Sequence, residues 1–173
     1  MSECFAPIVD MNSKILILGS FPSVKSRAIQ FYYGNKQNKI WKIFEEFFGE
    51  KISSSVDFKK EFLLRHKIAM WDVVKKSSIK GSGDLELVKN VEEVNDIPSL
   101  LKNYPNIKKV FCNGKASVEL MKKYFPKIEV SYLPSTSPAN VSFKKEEWFN
   151  ALSNVLNKLT RREEKYIMNV ISI

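Results

Sequence analysis

The chain has 173 residues, 28 Lys plus Arg against 19 Asp plus Glu, a formal charge of +9, one His and two Cys. Cys4 and Cys112 alone exclude a cysteine-ligated iron–sulfur cluster and a four-cysteine zinc site, and the single His66 excludes two-histidine metal motifs and argues against a histidine-dependent triad. Roughly 70% of the unfolded surface can be buried at this length, so one core suffices without a disulfide.

Met1-Ser2-Glu3-Cys4-Phe5 has no basic segment followed by an apolar stretch, and no apolar run approaches bilayer length. The expectation is a soluble, cytoplasmic monomer with one domain over residues 1–173, without membrane contact. A pI near 9.4 suits a polyanionic partner, with Lys-rich solvation of every face as the equal alternative.

Lys14-Ile15-Leu16-Ile17-Leu18, ended by Gly19, is a continuous apolar run of the kind buried on both faces of a parallel sheet. Three further runs follow: Lys67 to Trp71 ending at Asp72, Lys108 to Cys112 ending at Asn113-Gly114, and Ile128 to Leu133 ending at Pro134. Helical spacing is read over Asn38 to Phe48, closed by Gly49, and over Val56 to Arg65. It is also read over Ile97 to Lys102 behind an Asp96 N-cap, over Lys115 to Tyr124 and over Lys145 to Lys158. Ser77 to Asn95 reads as a polar connection, with a short helix over Leu85 to Lys89. The tail from Arg161 to Ile171 is read as either an extension of the last helix or a short strand. Four strands separated by helices predict an α/β three-layer sandwich with a central four-stranded parallel sheet.

In such sheets the ligand crevice lies at the carboxyl ends of the strands. Those ends are Gly19-Ser20-Phe21-Pro22-Ser23, Trp71-Asp72, Asn113-Gly114 and Leu133 to Asn140, rich in residues that make tight turns and offer donors to phosphate. Gly19-Ser20 lacks the spacing of a dinucleotide fingerprint or a phosphate loop. Tyr32-Tyr33-Gly34-Asn35-Lys36-Gln37-Asn38 places aromatics, a glycine and amides before a helix, a combination that can stack a base and bond its edge. The alternative is that Tyr32 and Trp41 are core and Asn38 is the helix cap. Asp72 reads as a buried acceptor for loop NH groups, with water activation as the second option. Cys112 reads as a core thiol, and His66, at the opposite edge from the strand ends, has no assigned role.

The segments Leu18 to Ser23, Tyr32 to Trp41, Met70-Trp71-Asp72-Val73, Asn113-Gly114-Lys115 and Leu133 to Asn140, in this order, resemble the hypoxanthine-DNA glycosylase family, the deoxyinosine-excising branch of the uracil-DNA glycosylase superfamily. The resemblance runs from about Lys14 to about Trp148. It implies hydrolysis of the N-glycosidic bond of a flipped-out deaminated base, most simply hypoxanthine, leaving an abasic site in DNA, with no metal or organic cofactor. It assigns catalysis to Asn38. The wider superfamily places an Asp or Asn before the first-loop proline, where this chain has Phe21, and the branch usually carries His-Pro where this chain has Asn35-Lys36. Tyr33 and Phe21 are expected to stack on the base and the backbone near Ser20 to donate to it, with Asn113 contacting base or sugar or else only shaping a turn. Ser20 and Ser23 are expected to bind phosphate, or Ser23 only to cap the following turn. In the second motif, Ser135, Ser137 and Pro138 would press on the DNA backbone while Ala139 and Asn140 enter the vacated stack. The alternatives are a uracil-DNA glycosylase acting on mismatched or single-stranded DNA, and a non-catalytic DNA-binding domain of the same fold.

Overall fold

The structure, a computed structural model, describes residues 2–156 and 167–172. In chain order the elements are β1 (Ser2–Glu3), β2 (Ile15–Gly19), α1 (Val24–Ile29), α2 (Ile40–Phe48), α3 (Val56–Arg65), β3 (Ile68–Asp72), β4 (Val74–Ser77), α4 (Asp84–Lys89), β5 (Val91–Val94), α5 (Ile97–Asn103), β6 (Lys109–Asn113), α6 (Lys115–Tyr124), β7 (Ser131–Leu133) and α7 (Lys145–Leu156).

The four apolar runs form one parallel sheet in the order β3-β2-β6-β7, with Ile17 flanked by Met70 and Phe111. Because side chains alternate along a strand, β2 supplies two cores. Ile15 and Ile17 join Ile68, Met70, Phe111 and Leu133 against α2, α3 and α7, where Phe44, Phe62, Trp148 and Leu152 are fully buried. Leu16 and Leu18 join Ala69, Val110 and Cys112 against Leu87 of α4, Ile97 and Leu100 of α5, and Leu120 and Met121 of α6. This is the three-layer arrangement expected from the continuous apolar runs.

Local signals account for most element ends. Ser55 accepts a hydrogen bond from the Phe58 amide at 3.3 Å and caps α3, while Asp96 accepts from the Ser99 amide at 3.1 Å and caps α5, with Pro98 in its first turn. Gly49 closes α2 at φ +66, a left-handed conformation that L side chains rarely adopt.

Several elements differ from the sequence reading. The Ser77 to Asn95 stretch holds the expected short helix, as α4, but is more than a polar connection: β5 within it pairs antiparallel with β4, which ends at Ser77, and β1 pairs with β4 to complete a second, three-stranded sheet. These strands have two to four residues and carry Lys and Glu on their exposed positions, too short and too polar for a period to show. Helix α1 was also not anticipated, β7 starts at Ser131 rather than Ile128, and α2 starts at Ile40 rather than Asn38. The last helix is described to Leu156; residues 157–158 of the expected helix and the tail residues 161–166 lie outside the described residues, and residues 167–171 are helical.

Phe62 is fully buried and its ring meets Phe44, Phe48 and His66. Phe62→Ala is expected to cost about 3–5 kcal/mol through the lost transfer energy and the cavity left behind. Asp96→Ala removes only a cap and is expected to cost about 1 kcal/mol; urea unfolding of the two variants beside the native protein measures the contrast.

Candidate functional site

The chain leaves β2 for β3 on one side and returns to β6 on the other, so a crevice opens where the connections diverge, at the carboxyl ends of β2 and β6. A cavity of about 640 Å³ occupies this crevice. Its floor and walls take in Gly19, Ser20, Phe21, Ser23, Tyr33, Asn38, Asp72 and Asn113, together with Ser135 to Ala139 of the loop after β7. Asn38 and the residues named from the strand-end loops for substrate or DNA contact, Asn140 excepted, therefore line one cavity, although the elements that carry them are far apart in the chain; of the basic residues near those loops, Lys25 lines it, and Arg27, Lys36, Lys39, Lys80, Lys115, Lys144 and Lys145 do not.

Many of these side chains already hold the loops in place. Ser23 caps α1, accepting from the Ser26 amide at 3.2 Å and donating to Ser26 Oγ at 3.0 Å; Ser26 Oγ in turn accepts from the Gly34 amide at 2.9 Å. The first loop is thereby tied to the Tyr33-Gly34 turn. A Cβ at Gly34 would fall 2.7 Å from the Ile29 side chain, so this close approach needs glycine. The backbone of Ser20 accepts from Val74 N at 3.0 Å. Phe21 lies partly buried at the cavity wall, with the Arg27 guanidinium 5.6 Å from its ring centre.

Asn38 sits at the entrance to α2. Its Oδ1 accepts from the Ile40 amide at 3.0 Å, which closes the helix start and leaves the two Nδ2 hydrogens without a partner among the described residues. The neighbouring Lys39 is a fastener: its amide donates to Thr136 O at 3.0 Å, and its Nζ donates to Ser137 O at 3.2 Å and Asn140 O at 3.0 Å. Asn113 binds Thr136 reciprocally, donating from Nδ2 to Oγ1 at 2.9 Å and accepting the Thr136 amide on Oδ1 at 3.0 Å. Within the loop, Ser135 Oγ accepts from Ser137 N, Ser137 Oγ accepts from Ala139 N, and Asn140 Nδ2 donates to Ser135 O at 2.9 Å. Ala139 is exposed, Pro138 is half-buried, and the exposed Val141 follows at the loop's end. Gly114, at φ +97, passes so close that a Cβ there would stand 3.2 Å from Ser135 Cβ.

The fourth wall was not read from sequence. Ile79, Gly81 to Asp84 and Leu87 complete the cavity. Arg27 holds this segment by donating to the carbonyl oxygens of Ile79 at 3.2 Å, Lys80 at 3.2 Å and Gly81 at 2.8 Å, and Ser82 Oγ accepts from Val24 N at 3.1 Å. The available signal was Gly81-Ser82-Gly83 on a polar stretch, which marks a loop but not its neighbour. Of the basic residues near the motif loops, Arg27, Lys39 and Lys145 are thus engaged within the protein, the last with Glu46 at 2.9 Å, whereas Lys25 and Lys36 are exposed at the cavity's rim and turn.

Asp72 departs from its sequence reading. No loop NH bonds it: its Oδ2 is buried without a hydrogen-bond partner, and no hydrogen bond among the described residues reaches the carboxyl group. A Cβ at Gly19 would collide with Asp72 Oδ1 and stand 3.3 Å from the Tyr33 hydroxyl, so the missing side chain at Gly19 lets the carboxyl and the phenol share the cavity floor. Burial raises the Asp72 pKa from its ordinary value to about 7, and it pushes the Tyr33 and Tyr32 phenols upward, with Asp72 as a further cause. The Cys4 thiol, a donor's neighbour through Asn95, is likewise raised to about 11 by burial. His66 lies elsewhere, 3.1 Å from Glu50, and Cys112 is a buried core thiol, as read. No cluster of three or more His, Cys, Asp or Glu able to hold a metal occurs among the described residues, and none of their helices is long and apolar enough to cross a membrane.

Because the folded Asp72 carboxyl binds its proton more tightly than the unfolded one, its burial lowers stability as pH rises from about 4 through about 7. Asp72→Asn is therefore expected to melt higher than the native protein by a margin that grows between pH 5 and pH 8, measured by thermal unfolding across that range.

Three comparisons bear on this cavity. The family model described as the Uracil DNA glycosylase superfamily matches residues 6–163. A protein named hypoxanthine DNA glycosylase from Methanosarcina acetivorans is 37% identical over 153 residues, covering 83% of this chain and 93% of its own. One of the same name from Methanosarcina barkeri is 35% identical over 156 residues, covering 85% and 95%. A solution NMR structure from Methanosarcina acetivorans, described as that of a candidate uracil DNA glycosylase, superposes with a TM-score of 0.74 at 31% identity, covering 90% of this chain and 98% of that one. With the parallel sheet, the crevice at its carboxyl ends and the match across nearly the whole chain, this protein belongs to the uracil DNA glycosylase superfamily.

Proposed function

We propose that the protein is a DNA repair glycosylase that releases hypoxanthine from deoxyinosine by hydrolysing its N-glycosidic bond. The observation that carries this reading is the cavity at the strand ends, with the unpartnered Nδ2 of Asn38 at its edge, in a chain whose relatives bear the name hypoxanthine DNA glycosylase.

Cleavage passes through an oxocarbenium-like sugar, and the base departs with the electron pair of the broken bond. Groups that stabilise the base more in that state than before it lower the barrier. Since the Asn38 carbonyl already accepts the Ile40 amide, what Asn38 offers a ligand is a donor. Donors suit the charge that grows on a leaving base, so Asn38 is assigned to the base. The nucleotide must leave the duplex to reach this depth; Tyr33 and Phe21 flank it, while Ser20 and Asn113 lie at its sugar and base edges. Ser23, Ser135, Ser137 and Pro138 present the rigid turns that meet the DNA backbone, and Ala139 and Asn140 stand at the loop end that faces the stack. The +9 charge favours the polyanion, and exposed Lys25 and Lys36 are the assigned phosphate contacts. The protein is read as one domain over residues 1–173, acting as a monomer on DNA inside the cell.

A second reading, release of uracil from mismatched or single-stranded DNA, is favoured by the description of the NMR structure. Phe21, in place of a polar residue in the first loop, favours the third, DNA binding without catalysis.

Base release from duplexes carrying deoxyinosine, uracil or no lesion, followed by alkaline strand cleavage, separates the three. Cleavage at deoxyinosine is expected, reduced about 10²–10³-fold in Asn38→Ala, the loss typical of one donor at a developing anion. Cleavage at uracil alone moves the substrate, and binding without cleavage leaves only the fold. Lys25→Ala and Lys36→Ala are each expected to weaken DNA binding uniformly across sequences and to lower the slope of log affinity against log salt by about 1.

A further inference from the structure

A carboxyl group buried at the floor of an open cavity with no hydrogen-bond partner calls for a ligand atom. Buried polar groups are ordinarily satisfied, and Asp72 Oδ2 is the one buried side-chain nitrogen or oxygen among the described residues that is not. Asp72 ends a strand whose neighbours are packed in the core, and it lines the cavity.

Leaving-group chemistry states what the cavity lacks. A purine expelled from a sugar leaves as an anion unless a proton reaches it, and Asn38 supplies hydrogen bonds but no proton. The chain's single histidine is paired with Glu50 near the start of β3, away from the cavity. We propose that Asp72 is the acid that protonates the departing base, a role that rests on the glycosylase reading above. The O–H bond of the acid breaks as its proton moves to an acceptor atom on the purine. The C1′–N9 bond breaks with its electron pair leaving on the base, water oxygen bonds to C1′, and the proton that water releases restores the acid. Neutral hypoxanthine, an abasic sugar and unchanged Asp72 result.

The surroundings keep the proton in place. The titratable groups that face Asp72 are the phenols of Tyr32 and Tyr33 and the thiol of Cys4, all held neutral by burial, and no cation reaches it among the described residues. Duplex phosphates add negative potential and displace water, both of which favour the neutral acid. An acid that titrates near neutrality is also the one that donates most effectively there.

Single-turnover excision of hypoxanthine from a deoxyinosine duplex, measured from pH 5 to pH 9 with the native protein and with Asp72→Asn and Asp72→Glu, tests this. The native rate is expected to be level at low pH and to fall by about tenfold per pH unit once the acid is lost. Asp72→Asn keeps the shape and a hydrogen-bond donor but has no proton to give, so it is expected to be slower by about 10²–10⁴-fold with no such fall. Asp72→Glu retains the acid and is expected to recover part of the rate together with the pH-dependent fall. Matching duplex affinity and a cooperative thermal transition, at or above the native melting temperature for Asp72→Asn, confirm that the variants are folded. A native rate that is flat or rises with pH overturns proton donation even where Asp72→Asn is slow, and so does an Asp72→Asn rate within threefold of native. If the native protein releases no hypoxanthine at any pH, the glycosylase reading itself fails.

Discussion

Strand β2 is paired on both edges and covered on both faces, and most of the molecule is arranged around that double burial. A strand with no solvent edge or face carries an unbroken apolar run, supplies side chains to two cores at once, and ends where the chain must diverge to either side. The crevice is therefore a product of topology before any polar residue is considered. What the polar residues contribute is the attachment of four loops to one another around it: Ser26 to Gly34, Lys39 to Ser137 and Asn140, Asn113 to Thr136, and Arg27 to the segment after β4.

That division explains what could be read in the residues alone. The four core strands, the cap at Asp96 and the closing Gly49 announce themselves because burial on both faces and helix ends impose strict local chemistry. The second sheet stayed hidden because strands of two to four residues, with Lys on β4 facing Glu on β1 and β5, draw their stability from pairing partners, not from a pattern of their own. The candidate site was legible as a set of strand ends and a resemblance in motif order, and those ends do converge. Which functional atoms remain free was not legible. Asn113 and Lys39 are polar residues in the right loops, but their hydrogen bonds go to Thr136, Ser137 and Asn140. Asp72 looked like an ordinary acceptor for loop amides, and only the three-dimensional arrangement reveals that no amide reaches it.

Asp72 also illustrates how a fold carries a polar group at a loss. An aspartate inside a sheet disfavours folding whenever it ionises, and the surrounding apolar layers must be sufficient to tolerate that. The large aromatic cluster of Phe44, Phe48, Phe62 and Trp41 on one face, and the leucine-rich layer on the other, provide that tolerance.

The grip of Arg27 on residues 79 to 81 runs entirely through main-chain carbonyls. Contacts of that kind do not depend on which side chains the gripped segment carries. Positions 80 and 81 can therefore change side chain while that stretch keeps its place, whereas Ile79 and Leu87 are fixed by the core and Ser82 by its own hydroxyl, so the wall offers a narrow window in which the cavity's lining can drift without loss of the scaffold.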